Sequence, residues 1–183
     1  MFHRTSTRLA AVLLAATLPL AACVDESDTK VGETSEDLEE SVEAKENEKP
    51  SFNVEETDPK VTDKITGESV EDPAMELSYK WQGTSSSGNG SVVVVAVTNK
   101  SDAPLPVDAL TPALRYNTGD DNFTDATYIS DPEKADVDVV GIDRPLGPGA
   151  TTNAKFPFDV APGNLWDAEF TVGNVTFKGN LNN

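Results

Sequence analysis

The sequence predicts an all-β sandwich carried behind a long acidic segment. Three observations predict it. From Met75 the apolar residues fall at every second position, the period of a half-buried strand. Short β-branched and aromatic runs then recur to the C-terminus, with Gly, Pro, Asn and Asp turn signals roughly every 8–12 residues. No part of that region carries a convincing helical periodicity.

The elements follow in order. Met75, Leu77, Tyr79 and Trp81 alternate with Glu76, Ser78, Lys80 and Gln82, which predicts a first strand. Gly83–Gly90 (GTSSSGNG) is expected to be a flexible hairpin loop. Ser91–Thr98 (SVVVVAVT) is a β-branched run of central-strand character, closed by Asn99-Lys100-Ser101-Asp102. Pro104 and Pro106 interrupt pairing in the loop that follows. Further strands are expected near Ala113–Asn117, Phe123–Ile129, Val137–Ile142, Thr151–Phe158, Asp167–Val172 and Val175–Lys178. Thr118-Gly119-Asp120-Asp121-Asn122 favours a tight hairpin. Pro145-Leu146-Gly147-Pro148-Gly149 is a rigid turn with two positions open to positive φ, and Gly173-Asn174 is the last turn. Trp81 and Trp166 are read as core or partly buried packing residues. With a single cysteine no disulfide pins the sandwich.

On these residues the region resembles the extracellular immunoglobulin-like (telokin-like) domain of bacterial, especially actinobacterial, lipoproteins. The matching features are the valine strand ending in Thr98-Asn99-Lys100-Ser101, and Leu146-Gly147-Pro148-Gly149 followed by Ala154-Lys155-Phe156-Pro157-Phe158-Asp159-Val160. Ala113-Leu114-Arg115-Tyr116 and the Asp-rich hairpin depart from the family's usual pattern. The resemblance implies an immunoglobulin-like β-sandwich of seven or eight strands and supplies no chemistry.

The chain before it reads differently. Arg4 and Arg8 form a positive n-region, and Leu9–Leu20 is an apolar run too short to span a bilayer, which needs about 20 residues. Leu20-Ala21-Ala22-Cys23 resembles the lipobox of bacterial lipoproteins, in which the cysteine is alkylated with diacylglycerol and becomes the first residue of the mature chain. Two alternatives stand beside it: an ordinary secretory signal with an incidental cysteine, and an uncleaved membrane anchor. The expected organisation is a signal peptide over residues 1–22, a lipid-anchored, disordered acidic linker over residues 23–73, and the sandwich over residues 74–183. Val24–Glu76 holds 19 acidic and 5 basic residues but only 9 Leu, Ile, Val or Phe. Such a composition buries too little apolar surface to offset its ordering entropy.

The inventory also limits function. The chain carries 14 Lys and Arg against 32 Asp and Glu, a formal net charge of −18, which disfavours nucleic-acid binding. Its single histidine, His3, lies in the expected signal peptide, and its single cysteine, Cys23, is the expected lipid anchor. The mature chain would then lack the parts for Ser-His-Asp or Cys-His catalysis and for His- or Cys-based zinc sites. Phosphate-loop and Gly-x-Ser-x-Gly patterns are absent. Ser85–Ser87 with Lys80, Lys100 or Lys155 is the sole nucleophile–base pairing left, and a serine-rich loop is read as merely flexible.

Carboxylates remain. Asp120, Asp121 and Asp125 cluster in one hairpin; Asp136, Asp138 and Asp143 lie along one expected strand region, where Asp136 and Asp138 share a face at period two. A calcium site is one reading of such clusters; turn formation and surface solubility is the other. The expected function is a non-enzymatic, lipid-anchored cell-envelope protein, held to the outer face of the membrane through Cys23. Its sandwich would bind an envelope protein partner, without cofactor, metal or nucleic acid. Binding of calcium or a small polar ligand is the alternative, and a carboxylate-dependent hydrolase the further one.

Overall fold

A computed structural model describes residues 50–183 apart from Asn89. Nine strands form two facing sheets. They are β1 (Lys60–Thr62), β2 (Ser69–Glu71), β3 (Leu77–Ser87), β4 (Gly90–Asn99), β5 (Pro112–Asn117), β6 (Phe123–Asp125), β7 (Thr151–Phe158), β8 (Ala168–Val172) and β9 (Val175–Gly179). One sheet has the order β1-β9-β8-β5-β6 and the other β2-β3-β4-β7. Four antiparallel hairpins (β2–β3, β3–β4, β5–β6, β8–β9) are joined by connections that cross between the sheets. The order β3-β4-β7 facing β6-β5-β8-β9 is an immunoglobulin-like Greek-key sandwich; with β1 and β2 the strands number nine, against the seven or eight expected. Every pairing is antiparallel except β1 with β9.

The valine run explains the centre. Strand β4 is paired with β3 from Gly90 to Asn99 and with β7 from Ser91 to Thr98, Val95 lying between Trp81 and Ala154. Val93, Val95 and Val97 point into the core with Leu77, Tyr79, Trp81, Phe156 and Phe158. Leu114, Phe170, Val172 and Phe177 meet them from the other sheet. Trp81 stands edge-on to Phe170 at 6.1 Å, and Phe156 lies 5.6 Å from the same ring. Each such buried side chain contributes about 1.5–3 kcal/mol by burial.

The same demand for pairing overturns the expected loop at Gly83–Gly90. Strand β3 continues through Ser87, so that Gly83, Thr84, Ser85, Ser86 and Ser87 pair with Val94 back to Gly90. A strand as buried as β4 needs backbone partners for its full length, and that requirement overrides the low strand propensity of serine and glycine. The register slips between Trp81 and Gly83, a bulge within the strand.

Two other expected strands are shorter or absent. Strand β6 ends at Asp125; the chain then leaves that sheet, and Tyr128 bridges to Phe158 of the other. Val137–Ile142 forms no strand. Just before it lies a one-turn helix, α1 (Pro132–Ala135), capped by the Asp131 side chain, opened by Pro132, and stopped by Asp136 at φ +51°. The backbone of Val137–Ile142 meets a strand at Gly141, which exchanges bonds of 2.7 and 3.1 Å with Lys155. In the Gly147–Ala150 turn one glycine takes positive φ, Gly149 at +70°, following Pro148 as a type II turn requires.

The boundary expected at residue 74 is also corrected, because β1 and β2 belong to the two sheets. Polar contacts hold this N-terminal segment. The Asn174 side chain accepts from the Thr57 N–H at 2.8 Å and donates to the Glu55 carbonyl at 2.8 Å. Its backbone carbonyl accepts from Lys60 at 2.8 Å. Asp72, buried under the same hairpin tip, accepts from the Ala74 and Met75 N–H groups and from the Tyr79 hydroxyl. Apolar counting does not see such a knot. It also moves charge into the fold: residues 50–183 hold 21 acidic and 9 basic side chains, a net of −12. Residues 1–49, with Cys23, the expected signal peptide and most of the expected linker, lie outside the described residues.

Candidate functional site

Four strands border the sheets. Three of them, β1, β2 and β6, are three residues long, the short edges that resist pairing with other chains. Strand β7 has eight residues. Its outer side is covered at one end, where Ile129 donates to the Pro157 carbonyl and Gly141 pairs with Lys155.

The other end is open. Because Lys155 directs both backbone groups away from β4, antiparallel alternation turns those of Asn153 and Thr151 the same way. Among the described residues, these outward N–H and C=O groups have no hydrogen-bond partner. They face a groove of about 590 Å³, walled on the far side by Asp138, Gly141, Asp143, Arg144 and Gly147. That volume falls in the range of ligand sites, about 300–1,000 Å³. The wall is fixed by the bridge between Leu105 and Leu146 and by the buried Asn99 side chain, which donates to the Leu146 carbonyl at 2.8 Å. The Asn99-Lys100-Ser101 turn thus supports the groove from behind.

The groove's charges are paired. Lys155 binds Asp138, and its hydrogen bond holds that exposed carboxyl below its ordinary range. Arg144 pairs with Asp143 at 3.1 Å. The arrangement offers main-chain donors and acceptors to an extended ligand rather than a nucleophile or an acid–base pair. One sequence signal marks the strand as an edge: Pro157, which a central strand does not tolerate.

The carboxylates picked out from the sequence do not converge. Asp120 and Asp121 sit at φ +52° and +58° in the β5–β6 turn, which closes through the Thr118 N–H bond to the Asn122 carbonyl. Their role there is to accept a left-handed backbone. Asp125 lies opposite Arg115 in the ladder. Asp136 stops α1, while Asp138 and Asp143 take separate cations, so Asp136 and Asp138 share no strand face. Among the described residues no three His, Cys, Asp or Glu side chains are placed to hold a metal ion.

Ser85–Ser87 lie in β3 paired to β4, and Ser87 donates to the Ala135 carbonyl. Lys100 pairs with Glu71 at 2.6 Å, so neither it nor Lys155 is gathered with those serines as a base. Trp81 is buried, its ring N–H donating to Asn183 at 3.0 Å. Trp166 is not a packing residue: it is 53% exposed, just beyond a 3-10 turn over Pro162–Asn164 that carries it out of the core.

The outer face of the five-stranded sheet carries one row of alternating charge, Lys178, Glu169, Arg115 and Asp125, aligned across four strands. Burial pushes the Glu169 carboxyl up, but its bonds to Lys178 and Arg115 outweigh that and leave it below the usual range. This row is internally neutral and presents no cleft comparable to the β7 groove. Among the described residues, no helix is long and apolar enough to cross a membrane. No protein family model matches the chain, and no curated protein or solved structure matches it either.

Proposed function

We propose that the chain is a lipid-anchored envelope protein whose sandwich is a non-enzymatic interaction module, receiving a partner at the open edge of β7. The observation that carries the interaction role is the pair of outward backbone faces at Thr151 and Asn153 along a groove of about 590 Å³. An unpaired edge beside a walled groove is the geometry of strand addition. The anchoring rests on the Leu20-Ala21-Ala22-Cys23 sequence and its resemblance to a lipobox. Two acyl chains on Cys23 would hold the protein at the outer face of the membrane essentially permanently.

The edge is tested by Asn153→Pro. This residue makes no ladder bond through its N–H, so proline removes the donor without breaking the sheet. Capture of a partner from envelope extract is expected to fall at least about tenfold while the melting temperature changes little. Equal capture by the variant and the wild type would refute the edge. The anchor is tested by Cys23→Ser, expected to release the protein from membranes. A variant that stays membrane-bound at unchanged mass would refute the lipid assignment.

A further inference from the structure

We infer that the occupant of the β7 groove is a short, extended, cationic peptide segment that adds as one more strand beside Thr151–Asn153. This rests on the reading of the β7 edge as the interaction site. Backbone geometry sets the shape of the occupant. The open edge spans three residues, about 10 Å at 3.3–3.4 Å per residue, and offers both donor and acceptor at alternate positions. Only an extended main chain matches that pattern along its length.

Charge sets the side chains. The segment 131–144, which supplies most of the far wall, carries Asp131, Glu133, Asp136, Asp138 and Asp143 against Lys134 and Arg144. At the groove itself Asp138 and Asp143 are balanced by Lys155 and Arg144, so the negative excess comes from Asp131, Glu133 and Asp136 just upstream. The described residues as a whole stand at −12. Lys or Arg side chains on the incoming segment therefore meet a favourable field, and acidic ones meet repulsion. The same field argues against a second copy of this chain. Two such units, each with a net charge of −12 over the described residues, repel.

Fluorescence anisotropy on the full chain tests the proposal with three labelled heptapeptides. One is Thr-Lys-Val-Lys-Val-Lys-Thr, one is the same peptide N-methylated at alternate amides, and one has Glu in place of each Lys. Saturable binding of the first is expected, weakened about tenfold by N-methylation. The acidic peptide is expected to bind about tenfold more weakly at low salt, the gap closing as salt rises. Asn153→Pro, and Gly147→Trp placed in the open space of the groove, should each weaken the cationic peptide about tenfold.

Binding indifferent to N-methylation or to both variants would overturn strand addition. Equal binding of the acidic peptide would overturn the charge class. Absence of saturable binding by the cationic peptide would overturn the proposal as a whole. If envelope capture still depends on Asn153, only the occupant is wrong; if capture does not depend on it, the interaction site is wrong too.

Discussion

The Asp72 carboxylate and the Asn174 side chain, 102 residues apart, are joined by a buried hydrogen bond of 2.9 Å, with a second at 3.0 Å from the Asn174 backbone N–H to the same carboxylate. The pair ties the N-terminal segment to the tip of the β8–β9 hairpin. Tyr79 donates to the same carboxylate at 3.2 Å, and burial, together with that negative charge, pushes its hydroxyl pKa well up.

Asp72→Asn is expected to destabilise the fold by roughly 2–4 kcal/mol, because an amide turned toward two donors leaves buried groups unpaired. Tyr79→Phe removes one bond at constant shape and should cost roughly 1–2 kcal/mol. Urea unfolding midpoints at unchanged slope would measure both. Equal stability of Asp72→Asn and wild type would refute the role given to the carboxylate.

The pH dependence has a definite sign. Burial alone would raise the Asp72 pKa, but hydrogen bonds from Asn174, Ala74 and Met75 outweigh it and hold the carboxyl below its ordinary value. A carboxyl depressed in the folded state contributes stability that is full above its unfolded pKa of about 3.9 and is lost as pH falls through the folded value. Glu169 acts in the same direction. The melting temperature should therefore hold at neutral pH and drop in acid, with a shallower drop for Asp72→Asn.

Gly173 has φ +54°, and a Cβ there would overlap the Tyr79 hydroxyl and the Met75 terminal methyl. Gly173→Ala should cost roughly 3 kcal/mol, through backbone strain together with displacement of a buried hydrogen-bonded ring. Gly147→Ala, in open space, serves as the control and should change the melting temperature little.

Truncation tests the corrected boundary. A fragment of residues 75–183 lacks β1, β2 and Asp72 and leaves Asn174 and Tyr79 without their partners. Its thermal midpoint by circular dichroism should lie about 10 °C or more below that of residues 50–183. Equal midpoints would show that the N-terminal strands merely decorate the sandwich.

These residues also explain what could be read from the sequence. Leu77, Tyr79, Trp81, the valine run and Thr151–Phe158 announce themselves by apolar period or β-branching, because their burial drives the fold. The two N-terminal strands give no such signal: Val70 is the one buried hydrophobic in either of them. Their order comes from Asp72 and Asn174, whose meeting across 102 residues has no local pattern. The serine half of β3 was hidden for a related reason, since its pairing is dictated by β4. The groove at β7 was illegible because an open edge is a property of neighbours, and Pro157 alone hints at it. The aspartates drew notice as possible ligands, whereas Asp120, Asp121 and Asp136 serve left-handed turns.

A pull on the N-terminal end of the described residues meets Phe52, packed against the core, and then Glu55, Thr57 and Lys60, all three bound to Asn174. Beyond them the force meets the parallel β1–β9 pairing and then the Asp72 bonds, before it arrives at β3. One asparagine at a hairpin tip is thus the first hydrogen-bonded clamp on that path. Until it yields, the buried sheets are shielded from the pull, and its rupture would free only the few residues before Lys60 while β1 and both sheets stay paired.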